Sequence, residues 1–172
     1  MSDLQKLLAL MILKTVPQDL SYSQQLAVLL TVANFFSAVF VLQTTLNPED
    51  MMGGLLLGLF IQIAFTYLVL RALNRSARFM QTFCAIIGVG ILFNLLSWPV
   101  LLVLADETSL KSLKSSMSLL FLLLISWEVL VKAHIFKHAL EMKMVGALAL
   151  SFSLFFISVA LSQLLFPAES AH

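Results

Sequence analysis

Five long apolar runs, at about 26–46, 51–73, 79–104, 115–136 and 145–166, leave almost none of this chain for anything else. Each is long enough to cross a hydrocarbon core of about 30 Å at about 1.5 Å per residue. A helix facing lipid cannot carry charge. That is why only 11% of the 172 residues are charged, 60% are hydrophobic and the mean hydropathy is +1.01; a soluble domain carries about 25% charged residues. The pattern predicts an all-α, polytopic helix bundle forming one integral membrane domain over 1–172, with the lipid bilayer as its first partner.

Ahead of the first run, 3–16 predicts an amphipathic helix lying in the membrane surface. At about 100° per residue, Asp3, Lys6 and Lys14 fall within about 80° of one another, opposite Leu, Met and Ile. Pro17 ends it. Pro99 predicts a kink in the long third run, turning 100–104 along the interface below Trp98.

The basic residues set an orientation. Lys6, Lys14, Arg71, Arg75, Arg78, Lys132, Lys137 and Lys143 fall on one side of a five-span arrangement, and only Lys111 and Lys114 on the other. With short loops this places the N-terminus in the cytoplasm and the C-terminus outside. Acidic residues Glu49, Asp50, Asp106, Glu107 and Glu169 collect on the outer side.

Charge and motif content exclude several classes of function. A net charge of +1 with scattered basic residues gives no nucleic-acid footprint. The single cysteine, Cys84, cannot form an intrachain disulfide and reads as a small packing residue. The sequence holds no phosphate-binding Gly-rich loop, no nucleophile elbow and no carboxylate pair deep in a span. Neither enzyme activity nor a cofactor is expected.

Polar and small residues inside the spans are the candidates for function. Glu128 lies in an apolar run four residues before Lys132, the favourable order for a helical ion pair. Placed near the cytoplasmic edge, the pair is expected to join Arg78 and Gln81 in one polar cluster. Asn34 and Gln62, both near mid-membrane, are expected to hydrogen-bond across a helical hairpin. Asn94 and Ser97 have no evident partner. Gly54, Gly58, Gly88 and Gly146 read as helix-packing positions, within the monomer or in a homo-oligomer. His134, His138 and Glu141 share a face at metal-pair spacing, but nothing in the sequence completes the coordination. An interfacial role, not a metal, is expected of them.

Three stretches carry a resemblance: Pro17-Gln-Asp-Leu-Ser-Tyr-Ser23, Arg78-Phe-x-Gln81-Thr82-x-x-Ala85-x-x-Gly88 and His134-Ile-x-x-His138-Ala-Leu140. With five spans and a cytoplasmic N-terminus, the chain resembles small bacterial inner-membrane proteins related to the Yip (Ypt-interacting-protein) domain group. The eukaryotic members engage small GTPases through a longer N-terminal region, so the resemblance does not imply that role. The resemblance implies a non-enzymatic scaffold or accessory role, acting through helix packing with itself or a partner membrane protein. The alternative from the residues themselves is a small proton- or solute-linked transporter or channel with Glu128 in its pathway.

Overall fold

Residues 2–45 and 51–166 are described by a computed structural model. They form six helices: α1 (Asp3–Met11), α2 (Gln24–Thr45), α3 (Met51–Ala72), α4 (Phe79–Ala105), α5 (Lys111–Leu140) and α6 (Met144–Leu165). Helices α2 to α6 are each long and apolar enough to cross a membrane, so the chain is built as a multi-pass membrane protein. The expected end of the first span at Leu46, and Glu49, Asp50 and Glu169, lie outside the described residues.

Helix α4 is the hub. Every residue from Thr82 to Val89 is buried, because α2 packs along one side, α5 along another and α1 on a third. The spans then continue in a ring, α4–α5–α6–α3–α2, in which α3 touches its neighbours only lightly. At the end of the bundle bearing Arg75, Arg78 and His138, here the basic end, chain reversals follow α1, α3 and α5. Each has a non-glycine residue in the left-handed region: Leu13 (φ 59), Asn74 (φ 57) and Glu141 (φ 55). At Leu13 the reversal is a Schellman turn, with Lys14 N–H donating to the Ala9 carbonyl and Leu13 N–H to that of Leu10. Asn74 and Arg75 repeat it onto Arg71 and Leu70.

Three expectations need correcting. The first helix stops at Met11, not at 16, since the left-handed Leu13 terminates it. Its apolar face is also not simply laid on lipid. Leu7 and Leu10 are buried in the protein core, while Leu4, Leu8 and Ile12 on other faces are exposed. Leu7 fills the notch at Gly88, where a Cβ would lie 2.6 Å from its Cδ2. Ser2 caps this helix in a capping box with Gln5. At its other end the Trp127 indole donates to the Met11 carbonyl at 3.0 Å, satisfying one of the terminal acceptors. Asp3 accepts from the Ser21 hydroxyl at 2.8 Å, a bond that holds its carboxyl below the usual aspartate range.

The third correction is to α5, which runs from Lys111 to Leu140, four residues past the expected end at 136 and four before the expected start at 115. Helix α4 in turn stays helical through Pro99 to Ala105. Beside that proline, Trp98 Nε1 donates to Thr44 Oγ1 at 2.9 Å and the indole meets the Phe40 ring at a tilt, centroids 5.1 Å apart, tying α4 to α2 at the far end.

Candidate functional site

The expected polar cluster divides into two sites at different depths. At the basic end, Arg78 and Arg75 both pair with Glu141. Arg78 Nη1 also donates to the carbonyls of His138 (3.3 Å) and Ala139 (3.0 Å), capping α5. Gln81 Nε2 donates to the carbonyls of Gln18 and Leu20, each at 3.1 Å. Gln18 Nε2 donates to the His138 carbonyl at 2.7 Å. The three stretches that carried the family resemblance therefore meet in one hydrogen-bonded layer. Gln18 had not stood out in the sequence, since only the folded loop brings it to the end of α5.

This layer is a clasp and leaves the histidines badly placed for a metal. His134 Nε2 donates to the Thr15 carbonyl at 3.0 Å, so that nitrogen is occupied. Glu141 has turned to the two arginines, and no group of three or more His, Cys, Asp or Glu suited to a metal occurs among the described residues. Arg78, then Arg75, hold the Glu141 carboxyl below the ordinary glutamate range. A lowered pKa means this contribution is complete above the unfolded value and fades as pH falls through the folded one. Thermal unfolding in detergent between pH 3 and 7 is expected to show Glu141→Gln less stable than the parent near neutrality. The difference should close on acidification, and one independent of pH would refute this role.

Glu128 lies elsewhere. Because α5 extends to Leu140, Glu128 is about 18 Å from the basic end at about 1.5 Å per residue, away from Arg78 and Gln81. Lys132 Nζ is 2.6 Å from Glu128 Oε1, as the spacing predicted, with side chains 13% and 28% exposed. The pair faces a cavity of about 240 Å³ at the centre of the helix ring. Asn34 from α2, Gln62 from α3, Asn94 from α4, and Ser151 and Ser158 from α6 complete its polar wall.

Asn34 and Gln62 thus share the cavity, but no hydrogen bond joins them among the described residues, contrary to expectation. Helix α2 packs on α4 and only lightly on α3, and the Asn34 side-chain Oδ1 points at Gly90, 3.0 Å from where a Cβ would stand. Asn94, which had no evident partner, donates to Ser37 Oγ at 3.1 Å. Gly54 and Gly58 also line the cavity, with no atom within 4 Å of where their Cβ atoms would be. Within the monomer they widen the site and are not close helix-packing positions. Gly146 is no close-approach position either, since a Cβ there would make only ordinary contact with Met142 at 3.5 Å. Of the four expected packing glycines, Gly88 alone is pressed by a neighbouring side chain, that of Leu7. Ser151, buried, fixes α6 by donating to the Val129 carbonyl at 2.8 Å.

No family model, curated protein or solved structure matches this chain. The resemblance to the Yip group rests on the three quoted stretches.

Proposed function

We propose that this is a small transporter-type membrane protein that receives the polar part of its substrate in the central cavity, with Glu128 and Lys132 as its charged contacts. The observation that carries this reading is the ion pair itself, which lies deep in a span and faces a cavity to which all five spanning helices contribute. Ionisable side chains inside a bilayer are costly, and where they occur they face water-filled interiors and mark substrate or proton paths. The light packing of α3, with Gly54 and Gly58 turned to open space, gives the ring one helix able to move against the others. The basic residues favour an inward-facing N-terminus, and the family resemblance favours a bacterial inner membrane.

The test is flux in proteoliposomes, probed with protons, glycine and octanoylcarnitine. At least one probe is expected to move faster than through protein-free vesicles. That excess should fall at least tenfold in the charge-free Glu128→Gln/Lys132→Met double variant. A second reading, a membrane-organising protein of the Yip type, is favoured by the assembly of the three resembling stretches into one layer. Flux of no probe, together with a defined crosslinked oligomer in native membranes, would overturn the transport reading in favour of the second.

A further inference from the structure

The polar cavity does not end at Glu128. A second chamber, of about 260 Å³, shares Glu128, Asn94, Ala38 and Leu55 with it and extends toward the Trp98 end. Its remaining wall is mainly hydrocarbon, including Val41, Leu42, Leu101, Phe121, Leu124 and Ile125. The polar groups there are already engaged, because Ser97 Oγ donates to the Phe93 carbonyl of its own helix at 2.7 Å and Asn94 donates to Ser37. In the first chamber the amides of Asn34 and Gln62 have no side-chain hydrogen bond among the described residues. Glu128 thus stands at the seam between a hydrogen-bonding compartment and an apolar one.

We infer that the ligand of this site is an amphiphile with a zwitterionic head, its head against Glu128 and Lys132 and its hydrocarbon chain in the apolar chamber. This rests on the cavity being a binding site, as proposed above, and assigns its chemical class. The head follows from charge balance. The wall offers one carboxylate and one ammonium in contact, 2.6 Å apart, so a head bearing both signs can engage both and leave the low-dielectric site neutral. A purely cationic or anionic head would answer one partner, compete for it with the other, and bring net charge into the membrane interior. The tail follows from the second chamber, whose apolar surface a wholly polar solute leaves uncovered. A free single-chain amphiphile and a bilayer lipid share this chemistry.

The experiment is titration calorimetry on the protein in nanodiscs, with empty nanodiscs subtracted. The probes are carnitine and octanoylcarnitine for the zwitterionic head, octyltrimethylammonium for the cation and octanoate for the anion. Octanoylcarnitine is expected to bind at least tenfold more tightly than each of the other three. Leu124→Trp, which fills the apolar chamber, should erase its advantage over carnitine. Glu128→Gln/Lys132→Met should erase its advantage over the singly charged chains. Equal binding of carnitine and octanoylcarnitine, lost in the double variant, would overturn the amphiphile while leaving the polar cavity as a solute site. Chain-dependent binding indifferent to head charge would overturn the zwitterion, and binding of no probe would overturn the whole inference whatever the flux assay shows. Native mass spectrometry then assigns the source. A two-chain phosphatidylcholine retained one per protein supports a bilayer lipid, and retention of lysophosphatidylcholine alone supports a single-chain ligand.

Discussion

Glu128→Gln alone is expected to cost about 3 kcal/mol of stability, the low end of the range for breaking a buried ion pair by removing one partner. The substitution leaves the Lys132 ammonium, 13% exposed, without its carboxylate. Lys132 is about 12 Å from the end of α5, too far for the side chain to reach water there without abandoning its site. Lys132→Met should be similarly harmful because it strands Glu128. The double variant should recover most of the loss, since removing both charges of a buried pair is often neutral where removing one is not. Unfolding by SDS titration in mixed micelles gives all four corners of the cycle. A double variant as unstable as the worse single one would show that the pair is not the source of the effect. The cycle also separates the two roles of the pair, because the double variant should be stable yet unable to carry or hold substrate.

Gly88→Val is expected to be the other large loss, about 1–3 kcal/mol, as overpacking of a filled core. The branched side chain would enter the space held by Leu7, whose Cγ lies 3.2 Å from where a Cβ at Gly88 would stand. Leu7 is itself only 4% exposed, so it cannot swing aside without lifting α1 off α4. Displacing α1 also breaks the Trp127–Met11 and His134–Thr15 hydrogen bonds. Limited proteolysis should therefore reach residues near Leu13 in Gly88→Val and not in the parent. Combining it with Leu7→Ala should restore most of the stability. A Gly88→Val protein with parental stability and parental cleavage would show that α1 does not depend on this notch.

The spans could be read from composition because lipid imposes one rule on every exposed surface. All five long helices fall where the apolar runs place them, apart from a few residues at their ends. Depth was harder to read. Charged residues at the end of a run do not say where a helix stops, and α5 carries Lys137 and His138 inside its last turn. Ending that span at 136 raised the apparent position of Glu128 toward the interface and put it with Arg78. The pair Glu128–Lys132 was legible because it depends only on spacing along one helix. Its company was not, because the ring order α4–α5–α6–α3–α2 decides which spans face one another. Glycine is equally ambiguous in a one-dimensional reading. Gly88 admits a neighbour's side chain and Gly58 borders empty space, yet both sit in the same kind of apolar sequence.

Helix α4 is translated before much of what surrounds it. The flank of Thr82 to Val89 that α5 later covers must face lipid or the insertion machinery until 111–140 has emerged. A nascent chain with 79–105 inserted and 111–140 still inside the ribosome would therefore hold an intermediate in which one flank of α4 has no protein neighbour.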